Sequence, residues 1–176
     1  MKKVPAKFLT CLATACLFLA LSPSLQAKKI EFPADDPAFT FDLPDGWTTE
    51  PGPDGRMYCT AGDGSEFKIA FVASPGVKND DDAKDMLPKV LTAMSDAMKC
   101  QNYKADDPRS GKVGNLTLLG IEAACKVDGT EMSLNAVAFA IVPGKYFSIV
   151  GAASKEVDQA HGKDMNSIIS SITAIE

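Results

Sequence analysis

Outside the first 27 residues, three cysteines, one histidine and several aspartate clusters are the side chains whose types suit a nucleophile, a general base or a metal site. A redox or zinc site favours a C-x-x-C pair, and Cys59, Cys100 and Cys125 form none. His161 is the single histidine, so a His-rich metal site is excluded, and any Ser-His-Asp or Cys-His arrangement has to use it. It reads either as a packed histidine near the start of the last helix or as a base that activates Cys59 or Cys125. Asp80-Asp81-Asp82 with Asp85 lacks the D-x-D-x-D-G spacing and distant Glu of a calcium loop, and reads as a solvated helix start. No G-x-S-x-G elbow or G-x-G-x-x-G turn occurs, and Gly111-Lys112, Gly144-Lys145 and Gly162-Lys163 lack the flanks of a P-loop. The expectation is a protein that is not an enzyme, with no catalytic, cofactor-binding or metal-ligating residues to nominate.

The start of the chain predicts a compartment. Lys2, Lys3 and Lys7 precede an apolar run from Phe8 to Leu21, about fourteen residues, in the range of a secretory signal and short of a membrane span of about twenty. Ser22-Pro23-Ser24 breaks the run, and Leu25-Gln26-Ala27 offers cleavage between Ala27 and Lys28. Cys11 and Cys16 lie inside the run, which rules out a lipoprotein reading. Residues 1–27 are therefore read as a cleaved signal and 28–176 as one domain, with no transmembrane segment after cleavage and a periplasmic or secreted location. Losing three lysines takes the net charge from −5 to about −8, which repels phosphate backbones and excludes nucleic acid as a partner.

The elements that must hold these side chains follow from periodicity. Residues 28–38 read as a polar lead-in. Phe39, Phe41 and Leu43 alternate with polar residues as a half-buried strand does. Residues 56–61 and 67–73 are two strands around the turn Gly62-Asp63-Gly64-Ser65. Asn79-Asp80-Asp81-Asp82 opens a helix with an apolar stripe of Met86, Leu87, Val90, Leu91, Met94 and Met98, within which Pro88 predicts a late start or a kink. Residues 101–114 read as a polar loop. Strands 116–127, 132–142 and 146–153 form a meander, and 132–142 is apolar on both faces, so the sheet is expected to be covered on both sides. A helix over about 156–175 closes the chain, interrupted by Gly162. The sum is an α+β domain: a single antiparallel β-sheet flanked by helices, an α/β/α sandwich. Ile69, Phe71, Leu91, Met94, Phe139, Ile149, Ile168 and Ile172 are the expected core.

Chain direction selects among the disulfide pairings. With strand 67–73 running up, Cys59 lies at the bottom of its hairpin partner, and the descending helix brings Cys100 to the bottom too. If strand 116–127 then rises, Cys125 ends at the top, which favours Cys59–Cys100 and leaves Cys125 a buried thiol. A loop 101–114 that returned to the top would instead allow Cys100–Cys125.

Phe39 to Trp47, FTFDLPDGW, is a strand stopped by Pro44, which cannot donate to a ladder, and turned by Asp45-Gly46. Trp47, the single tryptophan, then folds back over the sheet edge. With its Phe41, Pro44, Gly46 and Trp47, this entry resembles that of the PsbP/Mog1-like proteins, including the bacterial DcrB-like periplasmic group, and MNSIISSI resembles their last helix. The resemblance implies an accessory subunit or adaptor rather than an enzyme, and no cofactor is expected. The expected role is binding, adaptor or assembly support at the cell envelope, with an envelope protein as partner. A small-molecule or lipid carrier using a helix–sheet groove, made adaptable by Met86, Met94 and Met98, is the second reading. A small hydrolase or thiol enzyme is the third.

Overall fold

A computed structural model describes residues 27–175, so the segment read as an export signal lies outside the described residues except for Ala27. In chain order the elements are β1 (Lys28–Phe32), β2 (Phe39–Leu43), β3 (Thr48–Pro51), β4 (Met57–Thr60), β5 (Lys68–Ala73), α1 (Asp80–Ala97), β6 (Gln101–Ala105), β7 (Arg109–Val113), β8 (Leu116–Val127), β9 (Thr130–Val142), β10 (Lys145–Ser154), α2 (Lys155–Ser170) and β11 (Thr173–Ala174). The strands form two sheets, not the single one expected. An eight-stranded antiparallel sheet has the order β3-β4-β5-β10-β9-β8-β6, with β7 also paired to β8, and a small sheet has the order β1-β2-β11.

The large sheet is covered on both faces, as the two-faced β9 predicts. On one face Leu119, Ile121, Ala123 and Cys125 of β8 and Leu134, Ala136 and Ala138 of β9 pack against Ala83, Leu87 and Leu91 of α1. On the other face Phe71, Phe139 and Phe147 meet Phe32, Phe39 and Phe41 of the small sheet, with α2 beside it contributing Ile168 and Ile169. Alternation in β2 explains the second sheet. Phe39, Phe41 and Leu43 all point inward and are fully buried, so β2 lies as a separate ribbon across the aromatic face. It takes β1 as its neighbour, Ile30 opposite Phe41 and Phe32 opposite Phe39. The polar lead-in is thus a strand, with inward Ile30 and Phe32 as its apolar signal.

Other boundaries move for similar reasons. Residues 101–114 hold the strands β6 and β7, whose side chains are exposed or half-exposed and carry no apolar alternation. α1 starts at Asp80, where Asn79 Oδ1 accepts the Asp82 N–H at 2.9 Å, and runs to Ala97 through Pro88. α2 ends at Ser170, before Ile172 and Ile175. The expected core residues are buried except Met94, which is half-buried at the margin of the α1 contact.

Candidate functional site

The cysteines divide between the two faces. The structure pairs Cys100 with Cys125, Cα atoms 5.6 Å apart, and leaves Cys59 free and buried, which corrects the expected Cys59–Cys100 bond. The reason is β6 and β7. Both run antiparallel to β8, so the chain climbs back to the top before β8 descends and brings Cys125 down to the end of α1. Cys59 also faces the aromatic side of the sheet, while Cys125 faces α1. Burial pushes the Cys59 thiol up to about 12, the opposite of thiolate activation.

His161 is buried, as the packed reading has it, and its partners are neither Cys59 nor Cys125. Its Nδ1 lies 3.0 Å from Asp164 Oδ2, and its Nε2 lies 2.9 Å from Ser65 Oγ and 3.2 Å from Asp63 Oδ2. The ring stacks on Phe67 at 4.6 Å and meets Trp47 edge-on at 5.9 Å. The connectivity Ser65–His161–Asp164 is that of a Ser-His-Asp relay. Its setting is that of a clamp. Ser65 Oγ already accepts the Phe67 N–H at 3.3 Å, and a second carboxylate, Asp63, competes for the nitrogen that a relay leaves to serine. Hydrogen bonds from Ser65, and then the charge of His161, hold the Asp63 carboxyl below its ordinary value. The cluster fastens the β4–β5 turn to α2.

Pro44 and Gly46 serve the same corner. The Trp47 N–H donates to the Pro44 carbonyl at 3.2 Å, and Gly46 takes φ +80°. A Cβ on Gly62 would sit 1.9 Å from the Gly46 carbonyl oxygen, so only glycine lets the two turns touch. Trp47, the expected core residue, is buried there.

Beside this clamp, α2 stands off the sheet and leaves a cleft of about 440 Å³. Its floor is apolar, from Ile69, Leu118, Val137 and Ile149, and Met165 and Ile169 of α2 form one wall. The segment from Asp106 to Gly111, leading into β7, forms the opposite wall. Missing side chains at Gly120 and Gly162 help make the room. Gly120, Val137 and Ile149 are register partners across β8, β9 and β10, and Glu122, Asn135 and Gly151 form the adjacent row. Gly162 lies on the cleft side of α2, where a Cβ would meet nothing within 4 Å. A helix-interior glycine costs about 1 kcal/mol relative to alanine. Here the chain carries that cost beside an empty volume. The rim carries Asp106, Asp107, Glu122 and Asp158 against one cation, Arg109. Arg109 is already paired with Asp106 at 3.3 Å, and Asn135 Nδ2 donates to Asp158 Oδ1 at 2.8 Å. No histidine or cysteine lines the cleft. Sequence reasoning missed it because its walls come from β7, read as loop, and from a helix glycine read only as a weakness. Of the methionines expected at a groove, none lines this cleft: Met86 lines a second, more open concavity of about 540 Å³ between α1 and the end of β5, Met94 sits on α1 and Met98 caps its end.

Solved structures match this arrangement over most of the chain. Cyanobacterial PsbP (CyanoP) from Synechocystis sp. PCC 6803 superposes with a TM-score of 0.64 at 12% identity, covering 86% of this chain and 94% of that one. The chain has the PsbP fold. LpqN, described as involved in cell envelope biogenesis of Mycobacterium tuberculosis, gives a TM-score of 0.52 at 14% identity, covering 85% of this chain and 91% of that one. A structure from Bacteroides thetaiotaomicron VPI-5482 gives 0.58 at 14% identity, with 86% of this chain matched to 50% of that one. No protein-family model and no curated protein matches the sequence. The PsbP fold bears out the resemblance read from Phe41, Pro44, Gly46 and Trp47.

Proposed function

We propose that this chain is an exported, non-enzymatic binding protein of the cell envelope and that the cleft between α2 and the large sheet is where it binds. The cleft carries the reading: a recessed apolar floor with a few converging polar groups and no histidine or cysteine is the form of a binding site. The one relay-like cluster supports the same view, because its histidine is buried in a clamp outside the cleft lining. Export is supported by the signal pattern in residues 1–27, by a disulfide of the kind that oxidising compartments keep, and by a fold shared with the envelope-related LpqN.

Among binding roles, the cleft favours a carrier of a small ligand over an adaptor working through an open surface. Native mass spectrometry of the protein from its own host tests both parts. The expected spectrum shows a chain beginning at Lys28 with a retained small-molecule adduct, and the adduct is lost in Gly162→Leu, which fills the cleft. A chain still carrying Met1 in the membrane overturns export. A clean apo mass, with no small molecule captured on dialysis, overturns the carrier and returns the reading to an adaptor.

A further inference from the structure

We propose that the cleft selects a small organic cation, an ammonium or guanidinium group carried on an apolar body. The inference rests on the cleft being the binding site, and it comes from the match between floor and rim. Ile69, Leu118, Val137, Ile149, Met165 and Ile169 offer an apolar bed of the size that takes a small molecule, about 440 Å³. Four carboxylates surround it, and among the described residues the only ion pair they make is Asp106 with Arg109. The rim therefore keeps a net negative charge even with Arg109 in place.

Two of the acids are built into the walls. Glu122 lies in the floor row opposite Asn135, and Asn135 holds the Asp158 carboxylate of α2 at 2.8 Å, so the two acids bracket the same stretch of floor. A neutral apolar ligand would take water from these carboxylates and return nothing, and an anion would meet repulsion from four. A cation on an apolar body satisfies both surfaces. Each exposed carboxylate is weak alone, but like charges around a low-dielectric concavity focus their field.

A matched trio of probes tests this: decylammonium, decanol and decanoate, each below its micellar concentration, measured by calorimetry on the purified protein. The expected order is ammonium, alcohol, carboxylate, with ammonium favoured over carboxylate by about tenfold or more at low salt. Changing Glu122→Gln and Asp158→Asn together should remove most of that preference while decanol binding stays. Gly162→Leu should remove binding of all three. Raising salt to about 1 M, where the Debye length falls to about 3 Å, should shrink the preference in the unaltered protein and so tests the proposal even if the double variant does not fold. Equal binding of the three probes, or a preference that survives both salt and the double variant, overturns the cation assignment and leaves the cleft reading standing. Binding of none of them overturns both.

Discussion

The two faces of the large sheet are covered in different ways, and the more enclosed cleft lies on the α2 side, while the α1 side has a shallower concavity at Met86 and the end of β5. Under α1 the sheet presents Ala123, Ala136 and Ala138 among Leu119, Ile121 and Leu134, and one long helix settles on them with Ala83, Leu87 and Leu91 buried. The disulfide ties the end of that helix to β8. The opposite face presents phenylalanines and is roofed by two elements of different shape, a three-stranded ribbon and α2. The rings interlock under the ribbon, with Phe41 stacked on Phe71 at 4.2 Å and Phe39 edge-on to Phe147 at 5.0 Å. Beside the ribbon the filling stops, and Gly120 and Gly162 line the cleft with room where a side chain would stand. A single helix packs closely along its apolar stripe, and a mixed roof of ribbon and helix leaves the more enclosed cleft.

The largest effect should come from the aromatic layer. Phe39→Ala removes a fully buried ring that touches Phe32, Phe41, Phe71, Phe139 and Phe147, and should cost about 3–5 kcal/mol in denaturant unfolding. Leu87→Ala under α1 should cost about 2–5 kcal/mol, and a larger loss there than at Phe39 would reverse the ranking of the two faces. The tie on the α1 side comes next. Replacing both Cys100 and Cys125 by Ala opens a link of sequence separation 25 and should cost roughly 3.5 kcal/mol in the chain-entropy model. Non-reducing peptide mapping should join the Cys100 and Cys125 peptides, and a linked peptide containing Cys59 would break this part of the comparison.

Cys59 supplies an alkaline test of the aromatic side. Below pH 9 both folded and unfolded thiols are protonated and the contribution is complete. Above its ordinary 9.0 the unfolded thiol ionises while the folded one keeps its proton to about 12. Stability should therefore fall across that window at up to about 1.4 kcal/mol per pH unit, and Cys59→Ala should flatten this part of the slope. An unchanged slope would show that the thiol is not sealed.

Gly162→Ala should stabilise the fold by up to about 1 kcal/mol, because the position is helical and a Cβ there meets open space. A loss of stability would mean that the cleft is narrower than described. The smallest effect is on the acid limb. The Asp63 carboxyl titrates below its ordinary 3.8, so its contribution is present above that value and fades as pH falls through the lower folded one. In Asp63→Asn the acid limb should be shallower than in the parent protein, and an identical limb would remove Asp63 from the clamp.

The sequence by itself determined what periodicity and local chemistry encode. Period-two alternation named β2, apolar runs bounded by turn residues named β4, β5, β8, β9 and β10, and the Asn79 cap with its stripe named α1. The Pro44-Asp45-Gly46-Trp47 turn was legible because proline, glycine and a lone tryptophan each have a positional meaning. The tertiary structure alone decided what depends on chain return. β6 and β7 are polar edge strands whose pairing with β8 leaves no apolar trace, yet they reverse its direction, and with it the disulfide. β2 became a second sheet because its burial lies opposite rings more than twenty-five residues away in sequence. His161 met Ser65 and Asp63 across 96 and 98 positions, a pairing no local pattern specifies. The cleft is a volume left in part by absent side chains on β8 and α2, and absence becomes a feature only when the backbones that share it are brought together.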